Sequence, residues 1–276
     1  MNRRKRSTLL GDVLGVFFAV VIFIVPFYFM LITALKSSKE ANLLSIAFPS
    51  EIHWENFAEV FKTNNYMLLT AFKNSFLITI FSVVILIITG AMAGYVIQRR
   101  HDKMVGALQA IFLMGLMIPA AILPTISLLQ KFHIYKTMFS MIMIEVALQL
   151  PFTIMLYRGF MASIPRELEE AARIDGCGRF QTFFQIILPL LKPITATVII
   201  LDAVTIFNDF TNPLYFFPGN ENATVQLTLY NFKGQFASSY NLMFADILII
   251  TIPMFILFLI FNKRIVAGMV AGSVKG

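Results

Sequence analysis

Apolar residues in this chain come in long unbroken runs rather than in stripes. Between Asp12 and Lys36 stand 23 residues without a charge. As a helix rising ~1.5 Å per residue, that run exceeds a hydrocarbon core of roughly 30 Å. Further charge-free runs go from Asn74 to Gln98 and from Met104 to Gln130, and a fourth, Thr137 to Tyr157, is interrupted only by Glu145. Beyond a polar stretch, Pro193 to about Tyr215 is apolar apart from Asp202 and the Asn208-Asp209 pair, and Leu242 to Phe261 carries Asp246 near its start. The pattern predicts an all-α membrane protein of six transmembrane helices. Pro26, Pro119, Pro124, Pro151 and Pro253 fall inside these spans. Prolines are frequent in membrane helices and read first as kinks. Pro119 and Pro124, behind Gly115, predict a local break in the third span.

Composition agrees: 58% of the 276 residues are hydrophobic and 13% are charged, about half the charge density of a soluble domain. The single Cys177 excludes an internal disulfide framework and has no metal-ligand cluster around it. A net charge of +7 would suit nucleic acid, but the distribution of the cations reports topology instead. The N-terminus, the 98–103 loop, the 158–192 loop and the C-terminal tail hold 15 of the 22 Lys and Arg, including all ten Arg. Cytoplasmic loops retain such residues, so both termini are expected in the cytoplasm. Arg3-Arg4-Lys5-Arg6 ahead of an apolar run looks like a signal-peptide start, but the run is too long and no clean cleavage site follows, so it reads as an uncleaved span. The expected organisation is residues 1–72 as tail, first helix and exterior segment, 73–262 as a five-helix core, and 263–276 as a cytoplasmic tail.

The longest cytoplasmic loop, 35 residues from Arg158 to Lys192, is patterned as two short helices. Ser163 can cap the first, Pro165 suits its first turn, the acids Glu167, Glu169 and Glu170 cluster where the helix dipole is positive, and Gly176 suits a left-handed stop. A second helix is expected over Arg179 to Ile187. Ala171-Ala172 would give the first helix a small-residue surface that another protein's backbone can approach. A solvated loop packed on its own bundle is the plainer alternative. The spacing weighs against it: Glu170-Ala171-Ala172, Gly176, Ile186 and Leu188-Pro189 form seven fixed positions within twenty residues.

This spacing resembles the EAA signature of the permease subunits of binding-protein-dependent ABC importers, whose loop docks into a groove on a separate ATPase. The resemblance covers nearly the whole chain. Phe48-Pro49, Glu55-Asn56-Phe57, Phe207-Asn208-Asp209-Phe210 with Pro213-Leu214, and the tail from Val266 to Gly276 are similar to the second permease of maltose and oligosaccharide importers. That branch commonly has Trp where Phe207 stands. The resemblance implies the type I ABC importer permease fold, with Glu170, Ala171, Ala172, Asp175 and Gly176 as the ATPase-coupling contact. It also implies a homologous permease subunit, two ATPase subunits that hold ATP and Mg, an extracellular solute-binding protein, and a bacterial-type inner membrane around the complex.

Absent motifs bear on chemistry. Gly272-Ser-Val-Lys275 is not a phosphate loop, so ATP is expected to be hydrolysed by another polypeptide. Neither a His-Glu-x-x-His pattern nor a Gly-x-Ser-x-Gly elbow occurs, and His53, His101 and His133 are scattered over loops. A catalytic site, a metal site and a cofactor of the chain's own are therefore not expected. No fixed-period repeat and no matching pair of interrupted spans appears, which argues against an inverted-repeat secondary transporter. A charge at mid-bilayer costs ~2.5–3.5 kcal/mol, so Glu145, with Gln149 one turn on, and Asp202, with Asn208 and Asp209 further along, are candidates for a polar substrate path. Asp202 and Asp209 are seven apart and would share a helix face. Hydrogen-bonded clamps between packed helices are the alternative for all of them. Phe207, Phe210 and Tyr215 would supply aromatic faces for a sugar, and the segment from Thr211 to Tyr240 is expected outside, within reach of a binding protein. A permease for another polar solute, an ion-coupled carrier using Glu145 and Asp202 as proton sites, and a membrane scaffold subunit remain as other readings.

Overall fold

The computed structural model describes residues 12–100, 102–234 and 238–273, with side chains described as far as Phe261. Arg3-Arg4-Lys5-Arg6, His101 and the side chains of the Val266 to Gly276 tail lie outside the described residues. The chain divides into two compact units, residues 1–69 with 228–252 and residues 70–227 with 253–276.

All six apolar runs are helical, four within single long helices and two within bent pairs. The long helices are α1 (Asp12–Ala34), α2 (Glu55–Arg99, interrupted by non-helical backbone at Thr63–Tyr66), α5 (Met138–Met161) and α10 (Tyr240–Ser273). The third run is the pair α3 (Lys103–Met117) and α4 (Ile122–Lys131), bent by 114°. Its break falls at Ile118-Pro119, as the prolines predict: Pro119 lacks an amide proton and pushes Ile118 into an extended conformation, φ −85° and ψ 121°. The fifth run departs from expectation. Its helix, α8 (Lys192–Phe207), ends well before Tyr215 and follows α7 (Arg179–Leu190) at 75°. Sixteen residues reach only ~24 Å, so α8 by itself falls short of a bilayer's hydrocarbon core. The chain restarts as α9 (Thr211–Phe216), with Phe210 at the cap position, and the Asp209 carboxylate just before it accepts from the first amides, those of Thr211 (2.8 Å) and Asn212 (3.2 Å), which a helix start leaves open.

In the first unit, Asn56 closes the end of α1. Its amide donates to Ala34 O (2.8 Å) and Lys36 O (3.0 Å), carbonyls that a helix end leaves without partners. The Asn56 carbonyl in turn accepts from Asn241 (3.0 Å), and buried Asp246 accepts from Thr228 (2.8 Å). Helix α2 carries a kink at Thr63–Tyr66, where Asn64, Asn65 and Tyr66 all have positive φ. Helix α1 turns most of its surface outward, with only 6% of its apolar window buried.

In the second unit, α2 and α5 touch at two glycines. A Cβ on Gly90 would stand 2.6 Å from Thr153 Cγ2, and one on Gly94 would stand 2.9 Å from Tyr157 Cβ and 3.1 Å from the Arg158 amide nitrogen. Small residues four apart let two membrane helices approach closely without a solvent-driven hydrophobic effect to press them together. Around this crossing, Tyr157, Met161, Phe183, Ile187, Leu191 and Val198 form one buried cluster. Ile78, Leu86, Met141, Val146, Ile206 and Phe216 form another.

Candidate functional site

The predicted helix pair in the 158–192 loop exists, with altered boundaries. Helix α6 (Glu167–Ile174) has Arg166 at its cap position, and no side chain caps it. Ser163 does not cap it, because its hydroxyl donates backward to Phe160 O (2.7 Å). Glu167, Glu169 and Glu170 occupy the first turn, where the macrodipole favours acids. At the other end, Gly176 sits at φ +84°. Cys177 N donates to Ala172 O (2.9 Å) and Gly176 N to Arg173 O (3.1 Å), which together make a Schellman stop. Helix α7 passes beyond Ile187 to Leu190, widened into π-helical turns over Thr182–Ile187.

A buried ion pair fixes α6 to the bundle. Glu169, 4% exposed, accepts from Arg99 Nε (2.6 Å) with one oxygen and from the Tyr95 hydroxyl (2.8 Å) with the other. Arg99 also donates to Ile164 O (2.9 Å). Opposite this clamp, Glu170, Ala171, Asp175 and Gly176 are exposed and turn outward together. Ala172 does not: at ~100° per residue the next position rotates inward, and it is buried on the chain's own core. The small-residue surface therefore consists of Ala171 without Ala172. Ile174, one turn beyond Glu170, is 87% exposed, an apolar side chain standing clear on the same protrusion. Spacing from Glu170 could have found Ile174. The Arg99–Glu169–Tyr95 clamp joins residues about seventy positions apart and leaves no local signal.

The intramembrane polar residues separate into different environments. Asp202 is buried and accepts from Thr153 (2.9 Å), tying α8 to α5. It does not share a helix face with Asp209, because α8 has ended before Asn208. Glu145 is 1% exposed. The packing of α9 on α5 sets Asp209 and Asn212 alongside it. Asn212, which the sequence reading missed, joins Asp209 through its side-chain amide. Gln149 is half-buried one turn from Glu145, and exposed Asn208 accepts from Gln226 (2.9 Å). Phe207 is buried with its ring 5.5 Å from that of Phe76, so it offers no face to a sugar, whereas Tyr215 is exposed. Among the described residues no group of His, Cys, Asp and Glu is arranged to hold a metal ion.

Fold and site together define a multi-span helical membrane protein that carries a stiff helical protrusion clamped to its bundle. Residues 87–270 match the family described as the binding-protein-dependent transport system inner membrane component. The melibiose/raffinose/stachyose import permease protein MelC of Bacillus subtilis (strain 168) is 37% identical over 255 residues, covering 91% of each chain. The arabinooligosaccharides transport system permease protein AraQ of Halalkalibacterium halodurans is 31% identical over 281 residues, covering 99% of this chain and 100% of that one. A crystal structure of a bacterial ABC transporter involved in the import of the acidic polysaccharide alginate contains a chain that superposes with a TM-score of 0.83. That match covers 95% of this chain and 98% of the other at 20% identity, and it shows the fold. The chain belongs to the inner-membrane components of binding-protein-dependent transport systems, and it has the fold of an ABC importer permease. It is a multi-pass subunit of a transporter rather than of an enzyme family.

Proposed function

We propose that the chain is one permease of an ATP-driven carbohydrate importer, with oligosaccharides as the substrate class. Relatives named for melibiose, raffinose and stachyose and for arabinooligosaccharides, each aligned over nine-tenths or more of this chain, support that reading. A homologous permease completes the path, two ATPase subunits bind ATP and Mg, and an extracellular binding protein delivers the sugar. Both termini and the 98–103 and 158–192 loops lie in the cytoplasm. Glu170, Ala171, Asp175 and Gly176, with Ile174, meet the ATPase, while Ala172 supports them from behind. Gln149, Asn208 and the Glu145, Asp209 and Asn212 group line the polar path, and Asp202 serves as the clamp between α5 and α8.

The observation that carries this reading is the rigid mounting of α6, stopped by Gly176 and held by Glu169 on Arg99. A lever that transmits ATPase closure to membrane helices must not bend, and a buried ion pair at its root meets that need. Ala171→Asp adds bulk and a charge that docking must desolvate. The expected result in reconstituted membranes is a complex that still assembles but loses binding-protein-stimulated ATPase activity and uptake. Normal stimulation and uptake would exclude α6 as the coupling element.

A further inference from the structure

Where α2 ends at Arg99, a cleft of about 880 Å³ opens between it and the α6–α7 pair. Tyr95 and Phe183 form its base, with ring centroids 5.4 Å apart. Its walls bring together four arginines, Arg99 at the end of α2, Arg100 just beyond it, Arg173 from α6 and Arg179 from α7, against a single acid, Glu169. That acid is already spent on Arg99 and Tyr95. Arg100 makes an outward, solvent-facing bridge to Asp102. Among the described residues neither Arg173 nor Arg179 enters an ion pair. Guanidiniums converging on a concavity without enough carboxylates to neutralise them suit a phosphate, which they can grip bidentately.

The cleft also has an apolar exit. Met92 and Val96 line it, and Ile88, one turn further along α2, continues the lane, with Val96 and Ile88 both exposed. The apolar run of α2 ends at this level, so the arginines stand at the membrane surface and the lane points into the hydrocarbon. A free phosphate would use the first feature and leave the second without purpose. We infer that the cleft binds an anionic phospholipid, its phosphate diester between Arg173 and Arg179 and one acyl chain along Val96, Met92 and Ile88. Basic pockets at the cytoplasmic ends of membrane helices are suited to such headgroups. The bound lipid joins α2 to both helices of the protrusion and reinforces the Glu169 clamp. Its assignment to the inner leaflet rests on the cytoplasmic placement of α6 and α7 proposed above, but the preference for an anionic headgroup does not.

The test uses the purified transport complex, titrated with phosphatidylglycerol and separately with phosphatidylcholine, with bound lipid counted by native mass spectrometry. The expected result is tighter binding of phosphatidylglycerol, with that preference reduced about thirtyfold in R173Q/R179Q, since each arginine near an anionic headgroup contributes roughly fivefold. R173K/R179K should keep most of the preference. If R173Q/R179Q does not assemble, R173Q alone is read against the roughly fivefold expectation. Equal binding of the two lipids by the native complex, or an unchanged preference in the glutamine variants, overturns the proposal. Displacement of phosphatidylglycerol by millimolar inorganic phosphate would make this a free-anion site and overturn the lipid assignment. None of these readings requires transport, so they stand apart from the test of the coupling function.

Discussion

Gly176 and Glu169 carry the protrusion in different ways. At Gly176 a Cβ would meet nothing of this chain within 4 Å, so within the chain a substitution acts through the backbone. Holding an L-residue at φ +84° costs roughly 1–2 kcal/mol. Gly176→Ala is therefore expected to leave the complex purifiable while lowering binding-protein-stimulated ATPase activity several-fold, and Gly176→Val should lower it further. Glu169→Gln removes the charge opposite a nearly buried Arg99. Breaking a buried pair from one side costs about 3–5 kcal/mol, because the remaining charge stays uncompensated. The expected outcome is protease sensitivity within 158–192 and a lower melting temperature of the purified complex. Equal protease resistance in this variant and the native complex would show that the clamp does not hold α6.

Among the elements, the α2–α5 crossing is the most exacting. Gly94→Ala places a methyl 3.1 Å from a backbone nitrogen that cannot move without shifting α5. Gly106→Ala, with nothing within 4 Å of its Cβ, is the matched control. Gly94→Ala should destabilise by about 1–3 kcal/mol, as overpacking typically does, whereas Gly106→Ala should be neutral or stabilise by up to about 1 kcal/mol, because Ala is the better helix former; both are read as shifts in melting temperature of the purified complex. Helix α9 invites a subtler comparison. Asp209→Ala removes the acceptor of its first amides, at about 1 kcal/mol, and also removes the charge beside Glu145, whereas Asp209→Asn retains an acceptor there. If holding those amides is the function of Asp209, Asn restores uptake to within about twofold of the native rate. A carboxylate that faces the sugar is instead revealed by uptake lost equally in both variants, with assembly intact.

At the scale of the whole molecule, the proposed function sets lipid or the second permease against the exposed apolar surface of α1, of whose apolar window 6% is buried. The proposed topology assigns Ser163 to the cytoplasm and Asn220 to the outside. In a Cys177→Ser background, Ser163→Cys should resist a membrane-impermeant thiol reagent in intact cells and react after permeabilisation, while Asn220→Cys should react in both. The reverse pattern would invert the protein in the membrane.

The apolar runs by themselves determined the helical membrane class and the number of candidate spans, because a bilayer imposes length and hydrophobicity on any segment that crosses it. The fixed spacing from Glu170 to Pro189 likewise placed the protrusion and its glycine stop, since a helix end is a local event. Local pattern also marked the break at Pro119. Tertiary structure alone decided what depends on pairing distant residues. It turned Ala172 inward, set Glu169 on Arg99 and Tyr95, buried Phe207 against Phe76, and gathered four arginines around one cleft. The heptad relation of Asp202 to Asp209 failed for the same reason. Whether a helix continues past Phe207 depends on Asp209 accepting from the first amides of the next one and on α9 finding a place against α5, which no count of residues along the chain contains.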